Sequence, residues 1–259
     1  MALKLNPANR SLGVRRTPMP DEVRFYREWV NTPDLVSFQV KVKETDLQVR
    51  ARTDLTQETL ILVRRVRRDI ETYISAVPEF LTSLAPLPQD PQAPEVVQAM
   101  LQAGELYGVG PMAAVAGAVA EAVGRRLLEL SPDLIIENGG DIFLMMSRPV
   151  RLCLYAGHES PFTNRIVLAL DARRQARGVC TSSAKVGPSL SFGNADAVVT
   201  IAKSAAVADA AATAIGNCIR RPEDLETVLA TEQDRGELLG CVAVIGKRLG
   251  AWGEVEITR

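Results

Sequence analysis

The chain has 259 residues, a formal net charge of −1, 47% hydrophobic and 24% charged residues. That length buries a large core in one domain or two closely joined subdomains, and the charge balance excludes a wholesale polyanion-binding protein. Met1–Arg10 has no continuous apolar run of the secretory kind, and Met112–Val123, which contains Glu121 and runs into Arg125 and Arg126, falls short of the roughly 20 residues of a membrane span.

In chain order, residues 1–20 are polar and Pro-containing and are expected to form a tail, with a single module over 21–259. In Phe38–Asp54 apolar Phe38, Val40 and Val42, then Leu47, Val49 and Ala51, alternate with polar residues. This pattern predicts a hairpin that turns at Glu44–Asp46. Over Thr59–Leu84, Leu60, Val63, Val66, Ile70 and Ile74 recur at helical spacing, and Arg64, Arg65, Arg67 and Arg68 read as a solvated face. Ala85–Pro94 is a Pro-rich connector and the place for a subdomain junction. A short helix is expected over Pro94–Leu106, then, after Gly108–Pro111, an Ala/Gly/Val helix to about Leu130 with Pro111 in its first turn. From Asp133 short apolar runs dominate: DLIIE, IFLMM, RLCLY, RIVLAL, Ala197–Ile201, Cys241–Ile245 and Val255–Ile257. They are interrupted by one helix, Val207–Ile219. Helices early and strands late predict an α+β fold of mixed or antiparallel sheets packed with helices.

Candidate chemistry gathers in two stretches. Glu137–Asp141 follows a strand. Its N-G pair is a strong hairpin signal, yet Gly139 and Gly140 also admit a ligand to the backbone, and Asn138 and Asp141 supply an amide and a carboxylate. Thr181, Ser182 and Ser183 can hydrogen-bond a phosphate or a ring edge. Phe192, in the polar loop Gly187–Asp196, can pack in the interior or stack on a planar ligand. Asp209 and Thr213 lie four apart on one helix face, a spacing that suits either a hard-cation site or a plain helix whose early Asp favours the dipole. Gly108–Pro111 precedes a helix start but lacks the GK[ST] of a P-loop. The cysteines Cys153, Cys180, Cys218 and Cys241 form no C-x-x-C pair and His158 is the only histidine. Reduced thiols in a cytoplasmic protein are therefore expected rather than a zinc site. Nucleic acid is disfavoured as a partner by charge and by few aromatics, and no membrane partner is expected.

Taken together, ENGGD, CTSS and ADAAATAIGN in this order resemble the ApbE family of FAD-dependent FMN transferases. The VGPMAAVAGAVAE helix, the NGGD turn and the SLSFGNAD loop resemble a compact branch of it. The resemblance is good over Gly108–Asn217 and weak on either side. It implies FAD or FMN as ligand and Mg²⁺ as metal. The family's D-A-x-x-T motif then falls on Asp209 and Thr213, with the Ala212 carbonyl as a third ligand. Its T-S-G turn falls on Thr181-Ser182 with Ser183 for the glycine, and its G-G-[DE] segment on Gly139-Gly140-Asp141. Transferases of the family carry a histidine-bearing segment between the T-S-G turn and the strand leading to D-A-x-x-T, and the shorter SSAKVGPSLSFGNAD here has none; His158 matches no family motif. The resemblance thus implies either a Mg²⁺-dependent flavin- or nucleotide-handling transferase or a module of the same fold that binds flavin without turnover. The Ala-rich helices and late strands are compatible with a homodimer.

Overall fold

The computed structural model describes residues 34–153, 160–163, 167–171, 173, 175–184 and 192–258. Strands β1 (Val36–Val42) and β2 (Thr45–Ala51) form the first hairpin. Helices α1 (Thr56–Ala76), α2 (Glu79–Thr82), α3 (Glu95–Tyr107) and α4 (Val115–Leu127) follow, with a 3-10 turn at Pro111–Ala114 leading into α4. Then come β3 (Leu134–Asn138), β4 (Asp141–Met145), β5 (Val150–Cys153), β6 (Val167–Leu170), β7 (Arg177–Ser182) and β8 (Ala197–Ala202). The chain continues through α5 (Ala205–Cys218), α6 (Asp224–Arg235), β9 (Gly240–Ile245), β10 (Arg248–Gly253) and β11 (Glu256–Thr258).

The strands make an eight-stranded sheet in the order β1-β2-β3-β4-β7-β8-β9-β10 and a three-stranded sheet, β11-β6-β5. Every paired strand runs antiparallel to its neighbour, which bears out the α+β expectation. The large sheet is covered on both faces. Alternation sends Leu134, Ile136, Phe143, Val198 and Ala243 into a core with the helices. Ile135, Leu144, Val199, Val242 and Val244 join a second core with Leu152, Leu168 and Leu170 of the small sheet. Burial on both faces explains why β8 and β9 read as continuous apolar runs in the sequence rather than as alternating ones.

Several boundaries differ from expectation, each for a local reason. The first hairpin turns at Lys43–Glu44, not Glu44–Asp46; Lys43 takes a positive φ of 52°, and Thr45 already belongs to β2. The predicted helix Thr59–Leu84 is broken after Ala76, because Pro78 disfavours helical geometry at Val77. Arg64, Arg65 and Arg68 are exposed as a solvated face should be, but Arg67 is buried. Its guanidinium donates to Thr45 Oγ1 at 2.6 Å and pairs with Glu44 and Glu71, both at 2.8 Å. Helix α6 and strand β10 are not evident in the sequence pattern. The former shows its inner face through Leu225, Val228 and Leu229, and it ends where Gly236 adopts a left-handed φ of 76°. Residues 154–155 of the RLCLY run and 165–166 of the RIVLAL run lie outside the described residues.

The Pro-rich stretch 85–94 is irregular, as expected, and it is tied down from both sides. Tyr73 Oη on α1 donates to Asp90, Gln89 donates to Glu105 on α3, and Gln98 donates to the carbonyls of Pro91 and Ala93. Among the described residues no single helix is long and apolar enough to cross a membrane. The pair α3 and Pro111–Leu127 has enough apolar length together but is bent by 108° at the break.

Candidate functional site

The β3–β4 connection is a two-residue turn. Gly139 and Gly140 both take positive φ, 70° and 103°, and Asn138 pairs with Asp141 across the hairpin. Glycine reaches that conformation without a Cβ penalty, so the hairpin reading of N-G-G-D holds. The turn also aims side chains inward. Buried Asn138 donates from Nδ2 to the Ala116 carbonyl of α4 at 3.0 Å. Asp141, also buried, accepts the Thr181 N–H of β7 at 3.2 Å. Glu137 closes the turn by accepting the Gly140 N–H at 2.8 Å.

Helix α5 enters the same region. Ser204 caps it, its Oγ accepting the Val207 N–H. Asp209, one turn in, reaches across to α4 and accepts the Gly117 N–H at 2.9 Å. An early Asp is expected to serve the N-terminus of its own helix; this carboxylate serves the start of another helix instead. Two glycines allow the approach. A Cβ on Gly117 would stand 2.2 Å from the Ala205 carbonyl oxygen, and one on Gly178 of β7 would stand 2.3 Å from Ala205 Cα. The first turn of α5 is thereby pressed between α4 and β7.

The Asp141 and Asp209 carboxylates therefore meet in one low-dielectric neighbourhood. Burial, reinforced by the charge of Asp209, pushes Asp141 well above the usual carboxylate range. Burial pushes Asp209 up to about 7, against the opposing pull of the Gly117 and Ala116 amides. The Cys180 thiol shares the neighbourhood, donating to the Ala205 carbonyl at 3.3 Å. Burial and then the two nearby carboxylates raise it well above an ordinary thiol. A raised thiol is a poor nucleophile, so Cys180 acts here as a packed group.

The other expected residues divide. Alternation along β7 turns Cys180 and Ser182 towards α5 and Thr181, with Val179, towards the small-sheet side. The Thr181 side chain therefore faces away from the acid pair, and only its backbone N–H serves Asp141. Ser182 is buried beside Gly216 of α5, and Ser183 Oγ donates to the Asp196 carbonyl at 2.6 Å. Thr213 lies half-buried one turn beyond Asp209, and the Ala212 side chain is buried. Phe192 is 59% exposed, so it is not packed in the interior. Its N–H donates to Asn217 Oδ1 at 2.8 Å, at the far end of α5. Asp209, Thr213 and Asn217, each four apart, share one helix face, so a single stripe joins the acid pair to the residue that holds Phe192. Residues 185–191 of the loop before Phe192, and His158, lie outside the described residues. A cavity of about 650 Å³ opens elsewhere, lined by Asp171, Arg173, Gln175, Arg177 and Glu254.

One residue of the site was missed as such. Glu121, the lone acid in an apolar stretch of α4, is buried and accepts from Ser204 Oγ at 2.7 Å, Ala205 N at 2.6 Å and Ala206 N at 3.4 Å. A carboxylate amid Ala, Gly and Val was the available signal, because a buried acid needs partners.

The family model described as "AbpE bacteria" matches residues 27–247. The chain belongs to this family. Among its relatives, a UPF0280 protein of Methanococcus aeolicus is 39% identical over 230 residues, covering 85% of this chain and 91% of the relative. A UPF0280 protein of Methanocaldococcus jannaschii is 40% identical over 225 residues, covering 84% and 90%. Among solved structures, the apo flavinyl transferase ApbE of Pseudomonas stutzeri superposes with a TM-score of 0.55 at 15% identity, over 84% of this chain and 93% of that one. The flavin transferase ApbE of Vibrio cholerae gives 0.56 at 11% identity, over 84% and 96%. At such identities the likeness is one of fold, and the ApbE-like architecture expected from the motifs is the one observed.

Proposed function

We propose that this AbpE-family protein binds a flavin nucleotide, FAD or FMN, together with Mg²⁺, on the α5 face that runs from Asp209 to Asn217. The observation that carries the reading is the Asp141–Asp209 pair: one buried and one half-buried carboxylate, both raised, neither with a described salt bridge to a basic side chain. An acid pair of this kind suits a hard divalent cation, which takes oxygen ligands and commonly completes its shell with water and substrate phosphate. Asp141 accepts the Thr181 N–H and Asp209 the Gly117 N–H, contacts that hold both carboxylates in place, and a carboxylate can take a metal ion through an oxygen beside such a bond. The Thr213 hydroxyl stands one turn along. The donor set therefore fits Mg²⁺, with Asp209, Thr213 and the Ala212 carbonyl as the family's motif has it and Asp141 as an additional acid. A bound Mg²⁺ would offset the carboxylate charge and attract the diphosphate of a dinucleotide. Among the described residues no three or more His, Cys, Asp and Glu side chains group to hold a metal by themselves, so water and ligand phosphate would have to complete the Mg²⁺ shell.

Phe192 supports the flavin part of the reading. It offers an exposed aromatic face, and stacking of a planar ring on such a face is favourable by about 0.5–1.5 kcal/mol beyond area burial. In this reading Ser182, which lies beside Gly216 of α5, and Ser183, Asn138 and the Gly139-Gly140 backbone would supply further polar groups to the ligand. Flavin transfer from FAD would join an acceptor hydroxyl oxygen to the FMN phosphorus and break the diphosphate bond, releasing AMP, while the hydroxyl proton passes to a base. The interval 184–196 has no histidine to serve as that base. This absence favours a second reading, a flavin-binding module of the same fold without turnover.

The two readings separate in one experiment. The purified protein is titrated with FAD, with and without Mg²⁺, following flavin absorbance and fluorescence, and AMP is then assayed. Mg²⁺-dependent binding with AMP release supports a transferase, binding without release supports the module, and no FAD or FMN binding under either condition refutes both.

A further inference from the structure

Helices α4 and α5 hold each other by exchanged carboxylates. Asp209 of α5 accepts an amide at the start of α4, Gly117 N at 2.9 Å. Glu121 of α4 accepts the Ser204 hydroxyl and the Ala205 and Ala206 amides at the start of α5. The spacing is the same on both sides: Gly117 and Glu121 are four apart on α4, and Ala205 and Asp209 are four apart on α5. The two faces are thus matched in antiparallel register, one turn, or about 6 Å, between contacts. Each helix start carries free N–H groups and the positive end of a dipole, so each carboxylate meets a favourable field. Arg125, at 2.8 Å through Nε, balances the Glu121 charge from the solvent side.

We propose that Glu121 is a positioning residue for the Asp141–Asp209 pair, an inference that rests on the reading of that pair as the ligand site. By gripping the first turn of α5, Glu121 fixes the register at which Asp209, one rigid turn later, meets Gly117 and stands near Asp141. Three further contacts converge on the same joint. Asn138 of the NGGD turn holds the carbonyl of Ala116, the residue before Gly117. The Cys180 thiol holds the carbonyl of Ala205, whose N–H Glu121 accepts. Gly117 leaves no space for adjustment, since a Cβ there would stand 2.9 Å from Asp209 Cβ. Loosening the Glu121 grip lets α5 slide or rotate, and the first interaction lost is the Asp209–Gly117 bond across the joint.

The test uses the full metal-free chain and the variants Glu121→Gln, which keeps one acceptor oxygen, and Ser204→Ala, which removes one of the three donors to Glu121. Amide hydrogen exchange is read at the Gly117 N–H, whose acceptor is Asp209 and not the Glu121 side chain, and at Ile136 and Val199 in the sheet core. The expected result is exchange at Gly117 at least about tenfold faster in Glu121→Gln, and about threefold faster in Ser204→Ala, with the sheet amides unchanged. An equal rise at all three positions, which a general loss of stability gives, overturns the proposal, and so does an unchanged Gly117. A second arm measures Mn²⁺ affinity by electron paramagnetic resonance, with about tenfold weaker binding expected in Glu121→Gln; equal affinity in wild type and variant also overturns it. If wild type binds no Mn²⁺, the metal reading of the acid pair fails on its own, and exchange at Gly117 still decides whether Glu121 positions Asp209.

Discussion

Replacing Asp209 by Asn separates the carboxylate's charge from its shape. The amide oxygen of Asn can still accept the Gly117 N–H, so the α4–α5 contact survives. What disappears is a group whose pKa the fold raises from 3.8 to about 7. An acid raised on folding contributes stability that is fully present below its unfolded pKa and is lost as pH rises through its folded pKa. A tenfold change in proton affinity corresponds to about 1.4 kcal/mol. A rise from 3.8 to about 7 therefore sets an upper bound of about 4 kcal/mol, and because the Asp209 side chain is only half-buried by surface exposure the contribution is about 1–3 kcal/mol. Between pH 4 and 7 the metal-free wild type should therefore lose stability steadily, and Asp209→Asn should lose less, keeping the share that buried Asp141 contributes. Urea unfolding in the presence of a chelator at pH 5 and pH 8 is the assay. The variant should be within about 1 kcal/mol of wild type at pH 5 and about 1–3 kcal/mol more stable at pH 8. Millimolar Mg²⁺ at pH 8 should raise the wild-type midpoint by linkage and leave the variant unmoved. An Asp209→Asn protein that is equally destabilised at both pH values would refute this reasoning, since it would mean that the ionised carboxylate is a net anchor for α4.

Three further substitutions test the surroundings. Gly117→Ala places a methyl 2.2 Å from the Ala205 carbonyl oxygen and should cost about 1–3 kcal/mol in chemical denaturation, with Mg²⁺-dependent binding weakened because α5 is pushed away. Ala211→Leu, on a fully buried face of α5, should destabilise by about 1–3 kcal/mol, seen as a lower melting temperature; an unchanged melting temperature would contradict the burial. Phe192→Ala should leave stability within about 0.5 kcal/mol, because the ring is exposed, while flavin affinity measured by fluorescence titration falls about threefold to tenfold.

The fold was legible where one local signal dominates. Alternation in Phe38–Ala51 gave the first hairpin, N-G-G-D gave the β3–β4 turn, and the Ala-rich run gave α5 to within two residues at its start. It was less legible where distant context decides. The first hairpin begins its second strand at Thr45 because Arg67, some twenty residues on, buries its guanidinium against that side chain. The composition of four nearly adjacent arginines cannot say which of them faces inward. Helix α6 has only a narrow apolar face, Leu225, Val228 and Leu229, within an acidic stretch, so its helical period is weak until β9 and β10 supply the surface it covers.

The site shows the same division at the level of single side chains. Order along the chain was enough to bring Asp141, Cys180 and Asp209 to one neighbourhood, because β4 and β7 pair directly and α5 crosses β7. Order alone could not say that the alternation of β7 would turn Ser182 towards α5 and the Thr181 side chain away from it. A motif match assigns both residues of a T-S pair to one ligand, but a strand presents consecutive side chains to opposite faces. The same geometry explains why Glu121 reads, in sequence, only as an obstacle to membrane insertion. Its partners, Ser204 to Ala206, are more than eighty positions away, and their free amides exist only once α5 has formed. A lone acid in an otherwise apolar helix therefore points to an unpaired donor group elsewhere in the chain, and in this fold that group is the N-terminus of the helix that carries Asp209.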